Sequence, residues 1–435
     1  MNKPKATDLR KPAKLIELIN GRNVFIWGAR HDGYAARLSL TRHGILPTGY
    51  IDSSPSLAGS SAFGLSITDP INFFSKESWE RSFILVASGF FADEIVERCE
   101  EEGWQRDKDL AVYGELRRFN YQVEVAGMCN LRCISCPRGN WPRHRKPGFM
   151  AAEVYSRLID KILLDDPWTG IITLYNWGEP LLNPALPEII RITRNNGLLS
   201  AVSSNLAMEK DFEDVVQAGP DWFRISNSGW GENYECTHTG ARWDVFHSNC
   251  HKLSEYKQRH HPDMIVEFFF HIYSHNRNDF PKIQSFCDKL GFTLRYRHAA
   301  LAPLDNIALV VDGGQITDAA AKTRKLQFLH VEEVMDIARA ERNRPCFYMN
   351  HLWIDWDLSV AHCMEWYDPA LKLLDKDFLS VTLDEIEAAR IGSDHCRKCM
   401  EKGIHRAYCV YGNEKLIATK SSIPVQKEDL SHDYC

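Results

Sequence analysis

The chain contains no apolar run of membrane-spanning length, and its longest candidates, such as MIVEFFFHIY at 264–273, are only long enough for a strand. Its opening stretch, MNKPKATDLRKPAKLIELIN, is basic but lacks the apolar centre of a secretory signal. Neither sign of charge dominates. A formal net charge of −6 and a pI near 6.3 leave no electrostatic case for nucleic acid or for an anionic membrane surface. Internal repeats and low-complexity tracts are also missing, which sets aside solenoids and disordered linkers. What is left is a globular protein expected in the cytoplasm, and 435 residues are too many for one ordinary core, so two or three domains are expected.

Cysteine, by contrast, is plentiful. In a reducing compartment thirteen cysteines read as metal ligands or catalytic groups rather than disulfides. They cluster unevenly, with three at 129–136 and six from 346 to the C-terminus. Cys99, Cys236, Cys250 and Cys287 are scattered and read as small buried apolar residues.

Two series of alternating strands and helices organise the chain. In the first, NVFIWG, PTGYID, SFILVAS and DLAVYG read as strands, with helices in DGYAARLSLTRHG and DEIVERCEEEGW. The second begins at Tyr121. Its strands are YQVEV, IITLYN, LLSAVSSN, DWFRIS, MIVEFFFHI and FTLRYR, with helical patterns between them. Six β–α units predict a parallel sheet too short to close as an eight-fold barrel, with ligands at the carboxyl ends of its strands. After about residue 300 the pattern loosens into a charged helical stretch and a cysteine-rich tail.

Cys129, Cys133 and Cys136 stand in C-x3-C-x2-C spacing directly after the first strand of the second series. Three thiolates on one tight loop can bind three irons of a cubane and leave the fourth open, whereas electron-transfer clusters carry four cysteines. Zinc is the rival, and it would need a fourth Cys or His, for which His144 in the basic RGNWPRHRKPG stretch is the nearest candidate.

The spacing, its place after the first strand of a six-fold series and the Gly127-Met128 pair ahead of it resemble the radical S-adenosylmethionine (radical SAM) superfamily. The resemblance covers roughly residues 121–300 and part of the tail, and it implies an open or partial (β/α)6 barrel. It also implies that Trp177-Gly178-Glu179-Pro180 holds the methionine amine of S-adenosylmethionine, with Trp in place of the commoner first Gly. Ser203, Ser204 and Asn205 would meet the ribose or carboxylate, and Arg224 and Ser226 are further cofactor-binding candidates. In such enzymes a 4Fe–4S cluster cleaves S-adenosylmethionine to a 5′-deoxyadenosyl radical, with electrons from a donor such as flavodoxin or ferredoxin.

In the tail, Cys346 and Cys363 are spaced C-x16-C, and Cys396-Arg-Lys-Cys399 follows. Four such thiolates serve a fully ligated cluster or structural zinc equally well. Behind a radical SAM core they resemble the short "twitch" form of the SPASM extension, which carries one auxiliary 4Fe–4S cluster. The fuller form needs a C-x3-C pair that does not follow Cys399, so Cys409 is left as a hydrogen-atom donor, a remnant or a spare thiol, and Cys435 is unexplained.

The expected organisation is therefore α/β throughout: a Rossmann-like domain at 20–116, a radical SAM partial barrel at 117–300 and a twitch-like iron–sulfur domain at 301–435. In the first, Gly28-Ala-Arg30-His-Asp-Gly33 and Asp52 have the layout of a dinucleotide site, but Arg30 replaces the middle glycine and obstructs close approach to a pyrophosphate. The expected substrate is a small molecule, a sugar, nucleotide-linked sugar or aminocyclitol, oxidised or epimerised at a carbinol carbon. A peptide-modifying enzyme and a non-catalytic iron–sulfur scaffold are the alternatives. Tyr175, Trp177, His238, His271, Tyr296 and His298 are pocket candidates near strand ends, with His298 the expected general base.

Overall fold

The computed structural model describes residues 9–89, 91–421 and 423, and the statements below concern these. They divide into two compact units. The first takes Met1–Asn120, Ile159–Ile171 and Thr193–Leu199; the second takes Tyr121–Leu158, Ile172–Ile192 and Ser200–Cys435. Among the described residues no helix is long and apolar enough to cross a membrane.

The first unit holds strands β1 (Asn23–Trp27), β2 (Gly49–Ile51), β3 (Ser61–Ala62), β4 (Leu65–Thr68), β5 (Ser82–Val86) and β6 (Leu110–Val112). Their sheet order is β3-β4-β2-β1-β5-β6, parallel except for the β3–β4 pair. The near-continuous apolar runs of β1 and β5 are buried because helices pack against a parallel sheet. All four expected strands are present. The short β3–β4 pair was not expected, since a strand of two to four residues carries too little alternation to be read.

A second sheet has the order β12-β11-β10-β9-β8-β7-β13-β14-β15. Strands β7 (Asn120–Val123), β8 (Ile171–Thr173), β9 (Leu199–Ser204), β10 (Trp222–Asn227), β11 (Ile265–Ile272) and β12 (Thr293–His298) are the six of the second series, side by side in chain order. Every strand pair with a resolved register among them is parallel. Helices Glu213–Ala218 and Phe280–Leu290 end at Gly219 and Gly291, both at positive φ, which releases the chain into the next strand.

The C-terminal region does not form a sheet of its own. Strands β13 (His351–Ile354), β14 (Ser359–Ala361) and β15 (Lys372–Asp377) continue the second sheet from the free edge of β7, and the Glu124 amide donates to the Ile354 carbonyl at 2.8 Å. Strands β10 to β15 and Cys346, Cys363, Cys396 and Cys399 thus fall in one compact unit. Beneath the added strands, Leu304, Leu329, Val334, Met335, Trp353, Tyr367 and Cys399 form a buried cluster.

Candidate functional site

The loop after β7 is held in place at several points. The Arg132 and Ile134 amides donate to the carbonyls of Thr239 and Thr237 at 3.0 and 3.1 Å. Asn140 Nδ2 reaches the Cys133 and Cys136 carbonyls at 2.7 and 3.0 Å. Cys129, Cys133 and Cys136 are all partly buried on this loop. Burial pushes the Cys129 thiol up to about 12 and Cys136 up to about 11, and Cys133 is raised as well. As free groups they stay protonated, and metal binding is what would make them thiolates.

The loop after β8 packs against it without spare room. A Cβ on Gly178 would lie 1.7 Å from the Ala126 carbonyl oxygen, so only glycine fits. Glu124, fully buried at the end of β7, accepts from the Trp177 and Gly178 amides at 2.9 and 2.8 Å and pairs with Arg138 at 3.5 Å. The sequence reading passed over Glu124. Its signal was an acidic residue inside the apolar YQVEVAGM run just ahead of the cysteines.

Glu179 is only 2% exposed. One carboxylate oxygen accepts from the Leu181 amide at 3.1 Å and the other from the Asn205 amide at 2.8 Å, with the Ser204 hydroxyl as a further donor. Burial outweighs these donors and lifts its carboxyl to about 7. The carboxylate thus ties the loop after β8 to the end of β9. Asn205 ties the loops further, donating from Nδ2 to Asn130 Oδ1 at 2.9 Å and lying 3.6 Å from the Cys129 sulfur.

On the far side of the cysteine loop, Tyr234 stacks on His238 at 4.3 Å and donates to the Asn205 carbonyl at 3.3 Å. His238 Nδ1 shares a 2.8 Å hydrogen bond with Ser228 Oγ, and burial lowers the ring to about 4.

The C-terminal cysteines converge although they are distant in sequence. Cys346, Cys363, Cys396 and Cys399 line one small cavity of about 20 Å³, together with Tyr348, Trp366, His395 and His405. His362 Nε2 lies 3.3 Å from the Cys396 sulfur. Buried Arg390 is within electrostatic reach of Cys363, Cys396 and Cys346 and anchors Nη1 on the Met349 and His351 carbonyls at 3.1 and 2.5 Å. Among the described residues, no three His, Cys, Asp or Glu side chains are gathered tightly enough to hold a single metal ion.

No family model matches the chain. Over 109 residues it is 26% identical to GTP 3′,8-cyclase of Chlorobaculum tepidum, covering 24% of this chain and 31% of that protein. Over 137 residues it is 21% identical to the putative protein YfkA of Bacillus subtilis, covering 30% and 35%. The chain therefore matches about a third of the length of these curated relatives. Solved structures similar to it include BtrN in complex with AdoMet and 2-DOIA (17% identity, 68% of this chain and 91% of that one, TM-score 0.40) and native anSMEcpe with bound AdoMet (13%, 71% and 93%, 0.44). Streptococcus suis SuiB bound to S-adenosylmethionine is another (12%, 73% and 83%, 0.41). The chain is similar to radical SAM enzymes.

Of the cofactor residues expected from the radical SAM resemblance, Trp177, Gly178, Glu179, Pro180, Ser204 and Asn205 lie on the loops after β8 and β9, linked to the cysteine loop as described. Ser203, Arg224 and Ser226 lie deeper, on one face of the sheet. Arg224 is in register with Ser203 and Glu267, Ser226 with Phe269, and His271 with Arg297. Arg224 is not a free cation, because it pairs with Glu267 at 2.7 Å, with Arg295 on the other oxygen at 3.6 Å. His298 follows Arg297 on β12 and therefore turns to the opposite face from His271, fully buried beside Phe328.

Cys409 is partly buried on the helix Ala407–Tyr411. Cys435 lies outside the described residues. Cys99, Cys250 and Cys287 are buried as expected, but Cys236 is exposed.

In the first unit, the Asp52 carboxylate accepts from the Ala29 and Ser54 amides, both at 2.9 Å, and is occupied by backbone. Asp32 sits in the first turn of the helix His31–Arg42 with Arg117 and the Gly89 amide nearby, and burial raises its carboxyl. A carboxylate there puts negative charge where a dinucleotide phosphate would bind.

Proposed function

We propose that this chain is a radical SAM oxidoreductase acting on a polyhydroxylated small molecule. The observation that carries the reading is the triple-cysteine loop itself. It presents three desolvated thiols, and the neighbouring strand-end loops are locked to it through Glu124, Glu179 and Asn205. Three cysteines suit a cubane with one iron left for a ligand. When bound, a 4Fe–4S cluster with S-adenosylmethionine supplies the electron and the adenosyl radical that removes a hydrogen atom from the substrate.

The chain's own residues orient and enclose. The Trp177–Gly178 backbone, fixed by Glu124, forms the ledge beside the cysteines, and Ser204 and Asn205 border it. The charged and polar face carrying Arg224, Ser226, Glu267, His271 and Arg297 suits a hydroxyl-rich substrate over an apolar one. His271 lies on this face next to Arg297, and burial keeps its ring neutral, so that it can accept a hydrogen bond from a substrate hydroxyl.

The four-cysteine cavity supports an auxiliary 4Fe–4S cluster. A flavodoxin- or ferredoxin-type donor, a partial barrel and a cytoplasmic setting belong to the same reading.

The test is anaerobic incubation of reconstituted protein with S-adenosylmethionine and dithionite, with 5′-deoxyadenosine as the readout. Turnover is expected in the wild type and none in the Cys129→Ala/Cys133→Ala/Cys136→Ala variant, which should keep about four irons per chain. An intact cluster that never yields 5′-deoxyadenosine would remove the reading.

A further inference from the structure

Resting on that reading, we propose that Trp356 is a positioning residue for the triple-cysteine loop: from outside the site it fixes where the loop starts, and so sets how tightly S-adenosylmethionine binds. Gly127, two residues ahead of Cys129, donates its amide to the Gly148 carbonyl at 2.8 Å, and Ala126 and Phe149 form an antiparallel bridge beside it. Two glycines side by side on paired backbones leave a patch bare of side chains. Trp356 covers it. A Cβ on Gly127 would collide with Cδ1 and Nε1 of the indole, and one on Gly148 with Cζ2 and Cη2, so the ring spans both residues. Trp356 Nε1 donates to the Lys146 carbonyl at 3.1 Å, which holds the ring there.

The turn after β13 that carries Trp356 is itself anchored. Its neighbour Asp355 pairs with Arg145 at 3.3 Å, both side chains being buried. The Arg145 guanidinium lies 4.2 Å from the centre of the Trp353 ring, and its Nε donates to the Tyr367 carbonyl at 3.0 Å. Tyr367 in turn meets Trp177 edge to face, with ring centres 6.0 Å apart. Trp356 therefore bears on the stretch ahead of the cysteines from a fixed support, and a loop with a rigid backing keeps its geometry.

Its place in the fold separates this role from core packing. Trp356 is half-buried and stands apart from the buried cluster beneath the added strands, which contains Trp353 and Tyr367, so its removal spares that core. What it does touch is Gly127, and the Met128 carbonyl next along the chain accepts the Glu179 amide at 2.7 Å. Movement at Gly127 thus reaches both Cys129 and Glu179. In a site that must align two reacting partners, a displacement on the order of 1 Å costs up to about a hundredfold.

The test is the affinity of the reconstituted holoprotein for S-adenosylmethionine, measured by equilibrium dialysis without reductant so that it does not depend on turnover, with iron counted alongside. Trp356→Ala should bind about tenfold more weakly at unchanged iron content. Trp356→Phe, which keeps a ring on the patch, should recover most of that loss. Gly148→Ala should resemble Trp356→Ala, because its methyl group drives the indole off the glycines. In the double variant Gly148→Ala/Trp356→Ala the methyl group has free space, so the two losses should not multiply. Unchanged affinity in Trp356→Ala overturns the proposal, as do an equal loss in Trp356→Phe and losses that multiply to about a hundredfold in the double variant. Iron lost in step with affinity overturns it too, since the indole would then be a structural prop. A wild type that keeps its iron but binds no S-adenosylmethionine would instead sink the radical reading, and this inference with it.

Discussion

Replacing His298 by leucine separates the sequence expectation from the structural one. The ring is 0% exposed, and neither nitrogen has a hydrogen-bond partner among the described residues. Burial, with Arg297 adding to it, lowers the ring from an ordinary 6.5 to about 4. The folded chain therefore resists a proton that the unfolded chain accepts. Because the folded value is the lower one, stability is complete above pH 6.5 and is lost as pH falls towards 4. The full window of 2.5 units is worth about 3 kcal/mol, of which about 2 kcal/mol is gone by pH 5. Leucine has a similar volume and no proton to take up. His298→Leu should thus match or exceed wild-type stability at pH 7.5, and lose about 2 kcal/mol less than wild type on going to pH 5. Urea unfolding at the two pH values measures this, with 5′-deoxyadenosine and product formation assayed alongside at pH 7.5. An unchanged pH slope would refute the linkage argument. A variant that folds and cleaves S-adenosylmethionine but forms no product would support His298 as the base.

Two further outcomes test the frame around the cysteines. Glu124→Gln leaves one of the Trp177 and Gly178 amides facing a second donor and strips Arg138 of its partner. It should cost about 3 kcal/mol, the low end for a broken buried pair given the 3.5 Å separation, read as a lower thermal midpoint together with weaker S-adenosylmethionine binding. At the other cysteine group, Arg390→Met removes a cation within electrostatic reach of Cys346, Cys363 and Cys396 together. The auxiliary cluster should then titrate at a more negative potential by electron paramagnetic resonance, since reduction adds charge that the guanidinium no longer offsets; an unmoved potential would contradict this.

Most of the architecture was legible because it is local. Continuous apolar runs such as SFILV and 3.6-residue periodicity specify buried strands and helices from within a few residues, and the cysteine loop is a spacing eight residues long. All six strands of the second series, their order and the place of Cys129, Cys133 and Cys136 followed from that. The long-range decisions did not. The partners of Glu179 were not legible, because which amides a buried carboxylate meets depends on those left unbonded at Leu181 and Asn205. The face taken by His298 is set by the register of β12 on β11, where a shift of one residue exchanges it with Arg297. Cys346 and Cys363 meet Cys396 and Cys399 only because β13 and β14 pair onto the edge of β7 and fold the tail back. The sequence by itself therefore determined the elements and the place of Cys129, Cys133 and Cys136 on one loop after β7. Tertiary structure alone decided which polar groups are spent on holding the loops and which remain for a substrate, because every buried donor and acceptor must find its partner among residues far away in the chain.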